Sequence, residues 1–258
     1  MSQASAPSPL ARIAQRLRAH DWFAAAIEVA IVVLGIFLGF QVTQWNEQRQ
    51  SRAREVSLML NVASNLREDV KEMEESIRTA SSRMASLDYL LRLAGDWNPP
   101  KQFPSSRFTI KVEQVPPFDP RSGYTIGIET FILSFYDGHR FAYNALLNAS
   151  GPNVINNQER LVEIQEYYAS VDLILTFERT LAENRLRLID AMQAKGISAV
   201  DRSSFEEVAA VVRANPPLRA AVENYWFYAN RQIFLIRNLS NDAVRLADRI
   251  EREYRPSP

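Results

Sequence analysis

Residues 23–45 read FAAAIEVAIVVLGIFLGFQVTQW, an almost unbroken apolar run with one ionisable side chain, Glu28. A helix needs roughly 20 apolar residues to cross the hydrocarbon core of a bilayer. Trp22 and Trp45 bracket the run, as aromatic side chains do at a membrane–water interface. A core helix of a soluble domain is usually shorter and keeps a polar face. The run is therefore read as a transmembrane helix over 22–45. It divides the chain into a short basic tail (1–21), the span, and a large domain (46–258). No small-x-small motif follows the apolar residues; Gln41, Thr43, Gln44 and Trp45 occupy the place where cleavage would occur. The span is thus read as an uncleaved signal anchor.

The flanks orient the span weakly. Arg12, Arg16 and Arg18 precede it, and Arg49, Arg52 and Arg54 follow it, so the positive-inside comparison is nearly a tie. A short basic tail ahead of a first span usually stays cytoplasmic, which places the large domain outside the cytoplasm. Ser8 and Pro9 suit an N-cap and first helical position. Leu10, Ile13 and Leu17 then share a face. That helix either lies on an anionic leaflet or is a plain charged flank. Inside the span, Gly35 and Gly39 form a G-x-x-x-G, which lets two helices approach closely. Glu28 either snorkels to the headgroups or belongs to a contact, since ionisable groups in a span are costly. Glu28, Gly35, Gly39 and Val42 follow one another at intervals of seven, four and three. They therefore share one helix face, read as a helix–helix contact in the membrane. Trp22, Trp45 and Arg49 are the expected membrane-interface residues.

Past the span the apolar positions run Val56, Met59, Ala63, Leu66, Val70, Met73, Ile77, Ala80, Met84, Leu87 and Leu91, at alternating intervals of three and four. This is a heptad seam. Arg49 and Arg52 interrupt its register at the membrane surface. No Pro or Gly lies between Phe40 and Ala94, so one continuous helix is predicted, with Gly95 as its stop and Pro99-Pro100 blocking continuation. Two readings of the seam stand. It pairs with a second copy, or it is the first helix of an intramolecular bundle.

Residues 96–140 form an irregular, Pro-rich insertion. Phe108, Ile110 and Val112 alternate with polar residues, as do Tyr124, Ile126 and Ile128, which suggests a hairpin across VPPFDPRSG. A hairpin alone is marginal and would rest on the helices. A short helix then ends near Ser150, and Gly151, Asn153 and Asn156 read as turn and cap residues. Asn156 and Glu159 suggest a capping box for a helix over 157–194, and Ser203 and Glu206 one for a helix to Ala214. Asn215 and Pro216 start the last helix, with Leu218, Val222, Tyr225, Ala229, Ile236, Leu239, Ala243, Leu246 and Ile250 on its inner face. The cluster Tyr225 to Tyr228 reads as core and rim. The expected fold is all-α. The transmembrane helix continues into a long helix packed in an antiparallel helical bundle.

Composition excludes several chemistries. Basic and acidic residues balance at 30 each, which leaves no nucleic-acid footprint. Cys is absent, so disulfides, thiolate nucleophiles and zinc–thiolate sites are excluded. No P-loop, dinucleotide fingerprint, G-x-S-x-G or H-E-x-x-H occurs. Ser134, Asp137 and His139 lie close together, but a triad is recognised by geometry rather than by sequence proximity. Glu68, Asp69, Glu72, Glu74 and Glu75 read as a solvated acidic face. No catalytic, cofactor or metal residues are assigned, and the chain reads as not an enzyme.

Glu28, Ile31, Val32, Val33, Gly35, Ile36, Gly39, then Trp45-Asn46-Glu47 and Arg49, resemble a family of uncharacterised bacterial single-pass membrane proteins. Its pattern is similar to E-x-x-I-V-V-x-G-I-x-x-G followed by W-N-E-x-R. Tyr143, Leu146, Ser150-Gly151, Ile155 and Asn156 resemble a second turn of that family. The resemblance covers 28–55 well and 143–168 loosely. It implies the bacterial inner membrane and helical architecture, with no stated activity. The expected function is a membrane-anchored, non-enzymatic helical module that self-associates and binds another envelope protein. The alternative is a sensor-like ligand-binding bundle signalling through a separate partner.

Overall fold

The computed structural model describes the backbone over 9–104, 109–121, 134–149, 155–198 and 203–255, with Gly127 and Phe131; within 9–25 only the Trp22 side chain is described. The tail side chains, Ser8, Phe108, Tyr124, Ile126, Ile128 and residues 150–154 lie outside the described residues. Among the described residues the elements are α1 (Pro9–Ala94), β1 (Gln102–Pro104), β2 (Thr109–Lys111), α2 (Phe141–Ala149), α3 (Gln158–Gln193), α4 (Phe205–Ala214) and α5 (Pro216–Tyr254). The fold is all-α apart from one two-stranded hairpin.

The chain divides into two compact units, residues 1–55 and 56–258. In the first, every described side chain from Ala26 to Gln50 is exposed, including the apolar ones. This is the one segment long and apolar enough to cross a membrane among the described residues, and it lies near the N-terminus.

The second unit closes its own core. Met59, Ala63, Leu66, Met73, Ala80, Met84, Leu87 and Leu91 of the α1 seam are all buried. They pack in clusters with Ile164, Val171, Leu181 and Leu188 of α3 and Val222, Ile233, Leu246 and Ile250 of α5. The seam residues are thus buried within this unit. The start of α3 meets the end of α5, where the Arg160 Nε donates to Glu253 Oε2 (3.1 Å). The Arg67 side chain of α1 reaches Asp248 and Glu251 of α5. Arg213 of α4 donates to the carbonyl oxygens of Leu93 and Ala94, satisfying acceptors that a helix end leaves open. Gly95, at φ +98, ends α1 as expected.

Three local expectations need correction. The strand around Ile110 pairs upstream, Phe103 opposite Ile110, while most of the expected partner at 124–128 lies outside the described residues. The hairpin rests on α5: Asn230 Oδ1 accepts the Glu113 N–H (2.8 Å), its Nδ2 donates to the Lys111 carbonyl (3.3 Å), and Phe103 lies against Trp226 and Phe227. Asn157, not Asn156, caps α3, and its side chain accepts the Arg160 N–H. Ser204 and Glu207, not Ser203 and Glu206, form the reciprocal capping box of α4. Each sequence offered two adjacent cap-compatible residues. Asn215 does precede α5, but its side chain bonds back to the Val211 carbonyl and does not cap.

Candidate functional site

The connector Ser134–Arg140 (SFYDGHR) has no regular structure, and side chains from three helices hold its backbone. The Ser134 carbonyl accepts from Ser76 of α1 (3.2 Å) and Gln232 of α5 (3.4 Å). The Tyr136 N–H points between both oxygens of Glu178 of α3, 3.3 Å from each. The Asp137 N–H donates to Glu72 Oε1 (3.4 Å), and the His139 N–H to Asp69 Oδ1 (2.9 Å), both on α1. The His139 carbonyl accepts the Tyr168 hydroxyl (3.1 Å). An irregular segment lacks ladder partners, so these side chains supply the bonds that buried backbone requires. Gly138 makes the turn at φ +69. A Cβ there would lie 3.1 Å from Val171 Cγ1 and 3.3 Å from the Tyr136 hydroxyl.

Two ionisable centres flank this segment. At one, the His139 Nδ1 lies 2.8 Å from Asp69 Oδ1 and 3.7 Å from Glu72 Oε2. Asp69 is completely buried, whereas the His139 side chain is half exposed. Its hydrogen bond to Asp69 raises the His139 pKa, with Glu72 and Glu68 adding to the field and partial burial opposing it. Behind Asp69, the Tyr167 hydroxyl donates to Oδ2 (3.2 Å) and lies 3.2 Å from the Tyr136 hydroxyl.

At the other centre, Glu178 is buried beside Gln232, whose Nε2 donates to it (3.2 Å). Burial pushes its carboxyl up to about 7, against the Tyr136 N–H, Gln232 and the charge of Arg83. Arg83 of α1 has no exposed surface; it donates to Gln232 Oε1 (2.9 Å) and lies over the Tyr225 ring. Burial lowers its pKa.

The expected site residues fall elsewhere. Trp22 and Trp45 are exposed at either end of the apolar segment, as are Arg49 and Glu28. Nothing lies within 4 Å of a Cβ built on Gly35 or Gly39. The Ser134–Asp137–His139 proximity does not assemble a triad, since the imidazole Nδ1 faces Asp69 on another element. The acidic face is not uniformly solvated: Glu68, Glu74 and Glu75 are exposed, but Asp69 is buried and Glu72 half buried. Reading the sequence missed the Asp69–Glu72–His139 and Arg83–Glu178–Gln232 groups. A signal for the first did exist, because Asp69 and Glu72 stand three apart and share a helix face. Nothing local marked Glu178.

Comparison of the chain with known protein families, curated proteins and solved structures finds no match.

Proposed function

We propose that this chain is a single-pass protein of a bacterial inner membrane. Its helical domain is held outside the cytoplasm as a non-enzymatic module that binds another envelope protein. The observation that carries the reading is the contrast between the two units. The apolar side chains of 26–45 are exposed among the described residues, while the domain buries its own apolar seam. Large exposed apolar patches are unusual on soluble proteins, and a bilayer would cover this one. The domain is read as an antiparallel helical bundle with a Pro-rich insertion. Self-association is assigned to the Gly35/Gly39 face with Glu28, because the α1 seam is occupied internally. The resemblance of residues 28–55 supports the bacterial location.

Topology is the first test. Ser82 is exposed and the chain has no Cys, so a Ser82→Cys variant carries one thiol on the domain. Labelling by an impermeant maleimide in intact cells supports an extracytoplasmic domain; labelling only after permeabilisation refutes it. Self-association is tested by crosslinking in membranes. Gly35→Ile with Gly39→Ile is expected to abolish the dimer, and an unchanged dimer removes that face.

One observation favours the sensor-like alternative. A cavity of about 400 Å³ lies between α3 and α5, lined by residues that include Glu163, Glu166, Tyr167, Asp242, Arg245 and Arg249. A small-molecule ligand there would raise the melting temperature in a metabolite screen.

A further inference from the structure

We propose that Asp69, Glu72 and His139 form a binding site for one divalent first-row transition-metal ion. Their donor atoms, two carboxylate oxygens and the imidazole Nδ1, all lie within 4.8 Å of one another. Donors bound about 2.1 Å from a common metal are separated by about 3.0 Å at octahedral and about 3.4 Å at tetrahedral angles. The Nδ1–Oδ1 distance of 2.8 Å and the Nδ1–Oε2 distance of 3.7 Å lie on either side of that spacing. Only a small side-chain adjustment is required.

Three further observations point to a cation. First, one Nδ1 proton cannot serve both carboxylates: Asp69 Oδ1 takes it, and Glu72 Oε2 is left buried with no hydrogen-bond donor. Such an acceptor costs free energy that a metal ion would remove. Second, among the described residues no Arg or Lys pairs with Asp69 or Glu72, so the pair is not neutralised even when His139 is charged. Third, the ligands are oriented from behind. Tyr167 holds Asp69 Oδ2, the Asp137 N–H meets Glu72 Oε1, and the His139 N–H ties its own backbone to Asp69. Outer contacts of this kind fix ligand geometry in metal sites.

One imidazole nitrogen with two carboxylates suits Zn²⁺ and its neighbours better than Mg²⁺ or Ca²⁺, which take oxygen donors. Binding displaces the Nδ1 proton and leaves the other ring proton on Nε2. The ion would join α1 directly to the Ser134–Arg140 connector. This inference does not depend on the membrane reading.

The test is titration of the untagged full-length chain in detergent micelles with Zn²⁺ after chelator treatment, followed by calorimetry and by the visible spectrum with Co²⁺. One ion per chain is expected, with Mg²⁺ and Ca²⁺ far weaker. His139→Gln and Glu72→Gln should each weaken binding more than tenfold, while His20→Gln, at the other histidine, should leave it unchanged. Tyr167→Phe keeps every ligand and should weaken binding about tenfold through loss of orientation; it decides the matter if a ligand variant does not fold. Absence of binding, binding unchanged in Glu72→Gln and Tyr167→Phe, or binding lost only with His20 overturns the site.

Discussion

Replacing Glu178 with Gln should remove a pH dependence from the stability of the domain. Glu178 is almost wholly buried, and its carboxyl titrates at about 7 instead of 4.5. The folded protein holds that proton more tightly than the unfolded chain. Between about pH 4.5 and 7 folding therefore takes up a proton, and stability falls as pH rises across the window. Each pKa unit corresponds to about 1.4 kcal/mol, so the full loss above pH 7 is about 3 kcal/mol. The groups facing the carboxylate set the sign. Arg83 of α1, Gln232 of α5 and the Tyr136 N–H favour the ionised form, while Asp137 and burial oppose it, and burial is the largest effect. Gln resembles the protonated acid in shape and charge and keeps an oxygen for the Tyr136 N–H. At pH 5 the variant should exceed the wild type by only about 1 kcal/mol. At pH 8 it should be the more stable by about 3 kcal/mol, roughly 6–12 °C in melting temperature for a domain of this size. Thermal unfolding of the full chain in micelles, followed by far-UV circular dichroism, measures both at each pH. The readout is the difference between the two proteins, which cancels the other titrating groups. An equal difference at pH 5 and pH 8 would refute the reasoning.

Three further substitutions probe local features. Gly138→Ala places a Cβ at φ +69 against Val171 Cγ1, and should lower stability by about 2 kcal/mol or more in denaturant titration; Gly35→Ala, with open space around it, should not destabilise. Asn230→Ala removes the side-chain bonds to Lys111 of β2 and to Glu113 just after it, and should cost about 1–3 kcal/mol, with faster proteolysis within 99–121 as a second readout. Ser204→Ala breaks the capping box of α4 and should cost about 1 kcal/mol in denaturant titration.

The sequence by itself determined the features that depend on neighbours along the chain. Residues 23–45 are apolar enough to be read as a span. The three–four spacing from Val56 to Leu91 defined one buried face, and all but Val56, Val70 and Ile77 of those positions are buried. Gly95, Gly196 and Pro216 marked helix ends within three residues, because backbone conformation at such positions is set locally. Only the tertiary structure decided what depends on residues far apart in sequence. The heptad spacing was compatible with a second copy and with an intramolecular bundle, and the clustering of the seam with residues of α3 and α5 was not legible in it. The pairing of β2 with β1 was not read from the sequence, and the hairpin's supports at Asn230 and Trp226 lie more than a hundred residues away. Asp69 and Glu72 looked like part of a hydrated helix face because charge is the only property a single sequence displays. The His139 connector, 70 residues on, lies over that face, with Asp69 fully buried and Glu72 half buried beneath it. Burial is a property of what packs over a residue, and for Asp69, Arg83 and Glu178 that cover comes from other elements.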